Sequence, residues 1–173
     1  AHTDTYRGDG NQDYMRYNVA TTFTRAAEEG LIDAKASLHI GPRGPTMDNS
    51  VFEHTRNVGF QLIDGDELFE TGLLKTADNL VEQLKERTVY LCFDMDFFDP
   101  SCAPGVCTPT WGGATAREGL GFLRKLTGLN IVGADINTVS PPHDVGGMTA
   151  FLASAVALEI LTLFCHAQKL VPK

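Results

Sequence analysis

The sequence has 173 residues, 43% of them hydrophobic, with 17 Gly and 8 Pro, which is enough for one globular domain with its own core. Its 14 Lys+Arg stand against 22 Asp+Glu, a net charge of -8 with no basic run; this excludes nucleic acid as the main partner and suits a cationic or neutral small molecule. The four cysteines, Cys92, Cys102, Cys107 and Cys165, include no Cys-x-x-Cys pair, so a disulfide scaffold is excluded and reduced thiols in a cytoplasmic protein are expected.

The chain opens at Ala1 on a polar run, His2-Thr3-Asp4-Thr5-Tyr6, with no element before it; an N-terminal portion is expected to lie outside this sequence. In chain order the patterns predict a helix at about 22–29, strands at 37–40 and 59–63, and a helix at 67–87 broken near Gly72. A strand at 89–93, a helix at 116–126, a strand at 130–134 and a helix at 148–168 follow. Strands separated by helices predict an α/β domain with parallel crossovers, and the unbroken apolar run Val89 to Phe93 predicts a central strand covered on both faces. Residues 148–165 are apolar enough to raise a membrane span. Glu159 in their middle, many small residues and no flanking basic cluster instead predict a buried core helix and no membrane.

In a parallel sheet, ligands gather beyond the carboxyl ends of the strands, which directs attention to the residues after each predicted strand. Phe93-Asp94-Met95-Asp96-Phe97-Phe98-Asp99-Pro100 follows the strongest of them. Alternating side chains would put Asp94 and Asp96 on one side, where two carboxylates repel unless a cation sits between them. A divalent metal is therefore expected. His2 and Asp4 repeat the spacing, and an imidazole with three carboxylates would suit manganese, iron, nickel or zinc. The spacing alone leaves open whether the two pairs meet. The Gly/Pro-rich segment 101–113 reads as an ordered binding loop but lacks a P-loop ending. Asn137-Thr138-Val139-Ser140-Pro141-Pro142-His143-Asp144 should line the same crevice, where His143 is either a proton shuttle or a satisfied loop histidine. No Gly-x-Ser-x-Gly elbow supports a serine hydrolase.

These residues resemble the ureohydrolase family of arginase, agmatinase and guanidinobutyrase. Ala1 to Tyr6 is similar to the tail of its Asp-Ala-His-Thr-Asp motif. Phe93 to Pro100, with Ala103-Pro104-Gly105, Thr108-Pro109 and Gly112-Gly113, is similar to its Asp-x-Asp motif and the loop after it. Gly41-Pro42-Arg43-Gly44 and the run Asp135 to Pro142 also fall where agmatinase-like members carry similar runs. The resemblance implies a three-layer αβα sandwich around a mainly parallel sheet, of which residues 1–173 are the C-terminal portion. It further implies two Mn(II) ions, with Ni(II) an alternative, and a homo-oligomer, trimer or hexamer. It places Asp94 between both metals, Asp96 and His2 on one and Asp4 on the other. Two further ligands of the family pattern, one before Ala1 and one in an earlier run, have no counterpart in the sequence, so residues 1–173 alone are expected to be inactive.

The implied reaction is hydrolysis of a guanidino C–N bond to urea plus an amine or ammonia. Asp94 and His143 are the expected catalytic residues; Asn18, Asn137 and Thr138 are the expected substrate-binding residues. Two departures bear on the substrate. The stretch Tyr17 to Phe23 has no histidine where relatives carry a proton-shuttling His-Gly, and Thr138 stands where they place a glutamate against the guanidinium. A guanidino acid, guanidine or an agmatine-like substrate is therefore expected. The alternative is a non-catalytic family member serving as a subunit or binding protein.

Overall fold

Parallel pairing requires a crossover between the paired strands, and the described residues supply a helix-bearing crossover for each of the two strand pairs they form. The computed structural model describes residues 2–8 and 13–170. They fall into two units, 2–67 and 68 onward.

The first unit contains α1 (Asp13–Arg16), α2 (Thr22–Glu28), β1 (Leu38–Ile40), α3 (Val51–Val58) and β2 (Gln61–Ile63). β1 and β2 pair in parallel, Leu38 opposite Gln61 and Ile40 opposite Ile63. The sequence reading missed α3, because its Val-Phe-Glu-His-Thr-Arg-Asn-Val is mostly polar and buries only Val51 and Thr55. Its boundaries are nonetheless written locally. Asp48 accepts from the Ser50 N–H and hydroxyl, each at 2.8 Å, just before the helix, and Gly59 ends it at φ 118. Gly59, expected in a strand, serves instead as the left-handed cap that L side chains avoid. Edge-to-face rings fill this unit: His39 lies 5.2 Å from Phe23 and 4.8 Å from Phe60.

α4 (Gly65–Thr71) spans the division, and Gly72 (φ 90) separates it from α5 (Leu73–Leu84), the break the sequence predicts. The second unit continues with β3 (Thr88–Asp94), α6 (Ala116–Lys125), β4 (Asn130–Asn137) and α7 (Met148–Ala167). β3 and β4 run parallel from Thr88 opposite Asn130 to Asp94 opposite Asn137, with an irregularity at Val89/Tyr90. α5 turns in Leu73, Thr76, Ala77 and Leu80 at helical spacing, and α6 turns in Gly119, Phe122 and Leu123. α6 opens on a capping box in which the Thr115 hydroxyl accepts from the Glu118 N–H and Glu118 accepts from the Thr115 N–H. Phe98, 1% exposed, packs its ring against Phe93 and Phe97, and Gly119 supplies the hollow it needs, since any Cβ there would overlap the ring.

Among the described residues the strands form two parallel pairs, β1 with β2 and β3 with β4. One expectation needs correction: α7 is only half sunk. Thr149, Val156, Ile160 and Leu163 are buried, while Phe151, Leu158 and Leu161 stand exposed. Glu159, used above against a membrane span, accepts from Arg124 of α6 at 2.8 and 2.5 Å. By length and composition alone α7 could cross a membrane; its buried row and this ion pair tie it to its own unit.

Candidate functional site

Asp94 is the last residue of β3, and the chain then enters a tight turn, Met95–Phe97, that carries Asp96. The expected strand alternation is therefore not what aligns the two acids; the turn is. Carboxylate oxygens of Asp94 and Asp96 lie within 4.8 Å of each other. Met95, Phe97 and Phe98 anchor the turn in the core on either side of Asp96, whose own exposure is only 1%. The Thr108 hydroxyl donates to Asp96 Oδ2 at 2.6 Å, and the Asp96 N–H donates to Thr138 Oγ1 at 3.1 Å. A buried carboxylate with another close by is costly in isolation, and a multivalent cation offsets both desolvation and repulsion. This donor chemistry fits a divalent metal.

Around the turn, the 101–113 loop is held by its own backbone donors. Asp99 accepts from the N–H groups of Ser101, Gly112 and Gly113 at 3.0, 2.9 and 3.2 Å. The Ser101 bonds foremost, then those of the two glycines, hold the Asp99 carboxyl below its usual range. The loop is also sewn to the segment after β4: Cys107 N–H to the Thr138 carbonyl at 2.9 Å, Ser140 N–H to the Gly105 carbonyl at 2.8 Å, and Gly105 N–H to the Thr149 hydroxyl at 2.8 Å. Asp144 completes the seam by accepting from the N–H groups of Val145, Thr149 and Ala150, capping α7. Gly105 sits against it so closely that a Cβ would come within 2.7 Å of Asp144 Cα. Gly105→Ala is expected to lower stability by ~1–3 kcal/mol, the usual cost of overpacking. An unchanged thermal midpoint would refute that account of the seam.

In the first unit, Asp4 adopts a left-handed backbone at φ 48, so the predicted extended His2/Asp4 spacing is not realised. The two side chains meet all the same, His2 Nε2 lying 3.3 Å from Asp4 Oδ2. Their flanking residues are what fix them. Thr3 and Thr5 are buried, the Thr5 hydroxyl lies 2.8 Å from that of Thr3 and 2.5 Å from that of Thr55, and Thr55 donates to the Val51 carbonyl at 2.8 Å. His39, which the sequence reading passed over, is a neighbour in charge. Burial pushes its imidazole down to about 4 against the pull of Asp4, with His2 adding to the fall, so it is neutral at pH 7.

The remaining predicted residues have local occupations. Asn18 is exposed and caps a short turn, its side chain accepting from the Ala20 N–H and donating to the Met15 carbonyl, both at 2.9 Å. Asn137 donates to Asp135 at 2.5 Å. Exposed His143 ends the turn Pro141–His143, with Nδ1 2.7 Å from the Ser140 hydroxyl. Thr138 is turned toward Asp96. Its left-handed backbone, φ 68, has no signature in residue type.

The family model described as the Arginase family matches residues 1–163. The chain belongs to the arginase family. It is 37% identical over 173 aligned positions to proclavaminate amidinohydrolase of Streptomyces clavuligerus, covering 98% of this chain and 53% of that one. To agmatinase of Proteus mirabilis it is 41% identical over 167 positions, 94% of this chain and 49% of that one. The solved structure of the Streptomyces amidinohydrolase superposes with a TM-score of 0.86, covering 96% of this chain and 54% of that one. The fold is thus the arginase-like α/β fold, and the chain spans about half the length of these arginase-family relatives.

Proposed function

We propose that the full-length protein is a metal-dependent amidinohydrolase that cleaves a short guanidino compound to urea plus an amine or ammonia. The observation that carries this reading is the buried, threonine-held Asp96 beside Asp94 at the end of β3, in a chain of the arginase family. His2, Asp4, Asp94 and Asp96 would hold two Mn(II) or Ni(II) ions. Such ions supply Lewis acidity, which makes water nucleophilic near neutral pH and stabilises developing negative charge. The chain's own part is to keep four anionic or neutral donors in place: Thr108 orients Asp96, and the Thr3–Thr5–Thr55 hydroxyls hold the backbone around Asp4. A net charge of -8 favours approach of a cationic guanidinium. The same reading places the protein in the cytoplasm as a homo-oligomer.

The substrate proposal rests on Thr138. No carboxylate stands at that position to anchor a guanidinium, and the Thr138 hydroxyl already accepts from the Asp96 backbone. A short substrate, a guanidino acid or guanidine, depends less on that anchor. One relative, 37% identical over 170 positions, is named guanidinopropionase, from Pseudomonas aeruginosa. Urea release should be measured with arginine, agmatine, 3-guanidinopropionate and guanidine, supplying manganese and nickel in turn. The short compounds are expected to give the highest kcat/KM. Arginine or agmatine leading under both metals overturns the substrate assignment. Urea from none of them would favour the reading as a non-catalytic subunit or binding protein.

A further inference from the structure

Thr138 combines three features. It is β-branched yet sits at φ 68, a region such residues rarely enter because Cβ crowds the backbone. Its hydroxyl accepts the Asp96 N–H at 3.1 Å, and its carbonyl accepts the Cys107 N–H at 2.9 Å. The residue after Cys107 is Thr108, which holds the Asp96 carboxylate from the other side at 2.6 Å. One left-handed residue thus touches both the main chain of the Asp96 turn and the loop strand that orients the Asp96 side chain. Strain of this kind persists only where surrounding bonds over-determine it, and here those bonds converge on one carboxylate.

We propose that Thr138 is a positioning residue: its hydroxyl and carbonyl staple the Asp96 turn and the 101–113 loop to the end of β4, aiming Asp96 before any ligand binds. This rests on the metal-site reading above and refines it. It gives Thr138 a role beyond the expected substrate contact, since one acceptor site of its hydroxyl is committed to the Asp96 N–H.

The test uses Thr138→Val, which keeps the branched shape and removes the acceptor, Thr138→Ser, which keeps the acceptor, and Thr138→Gly. Glycine removes the hydroxyl while adopting φ 68 freely, so it answers the question if the valine variant does not fold. Two readouts are taken on the full-length protein: hydrogen exchange of the Asp96 amide without metal, and Mn(II) binding by calorimetry. Valine and glycine are expected to lose amide protection and weaken Mn(II) by about tenfold or more, as removal of a partner that orients a metal ligand does. Serine should keep both. Wild-type protection and affinity in the valine and glycine variants would overturn the proposal, as would lost protection with unchanged affinity. If the unsubstituted protein takes up no Mn(II), the metal reading itself fails, and amide protection alone then decides whether Thr138 positions the turn.

Discussion

Asp94→Asn is expected to reduce urea formation by the full-length protein to about a thousandth or less while leaving the metal-free fold as stable as before, or slightly more so. The opposing signs follow from one change. Asparagine is nearly isosteric with aspartate but lacks the charge that would help hold metal in the proposed site; a loss of ~4 kcal/mol of transition-state stabilisation corresponds to about a thousandfold in rate. Without metal, the same substitution removes repulsion between carboxylates whose oxygens lie within 4.8 Å. Urea assays and thermal melts of the apo protein read the two effects separately. Turnover within tenfold of the unsubstituted enzyme would mean that Asp94 is not a metal ligand.

Phe98→Ala is expected to cost about 3–5 kcal/mol of stability, the range for an aromatic side chain removed from a packed core. Phe98 is 1% exposed, its ring lies 5.7 Å from that of Phe93 and 6.0 Å from that of Phe97, and Gly119 has no Cβ with which to fill the space left behind. Because Phe97 and Phe98 directly follow Asp96, the same change should loosen the acidic turn. Denaturant unfolding measures the loss; a midpoint shift equivalent to less than about 1 kcal/mol would show that the cavity collapses at little cost.

The two expected effects also show what the sequence made legible. The apolar run before Asp94, the broken helix at Gly72 and the amphipathic helix after Thr115 could be read directly, because strand and helix periods and cap chemistry are local. α3 could not: its inward face consists of Val51 and Thr55 alone, too little apolar character to register as a period. The acids at 94 and 96, and the His2/Asp4 pair, were found by a spacing rule whose geometry then proved different. A turn aligns Asp96 with Asp94, and a left-handed kink brings Asp4 to His2. Short spacing selects residues that can meet by several backbone routes, so the pairing was readable and the route was not. Thr138 is the converse. Its identity looked like the loss of a substrate anchor, while its role depends on a backbone angle no residue type announces for a threonine.

Asp144 gives the loop at 101–113 an unusual dependence. Its carboxylate caps the first turn of α7, and its backbone lies against Gly105, whose N–H ends on the hydroxyl of Thr149 in that same turn. Surface loops ordinarily open on their own, at far lower free energy than the helices they connect. This one cannot lift at Gly105 without surrendering a contact of α7, and α7 cannot fray from its first turn without releasing the loop. Opening of the loop at Gly105 and fraying of α7 at its first turn are therefore coupled through Thr149 and Asp144, a short step along the chain from Thr108.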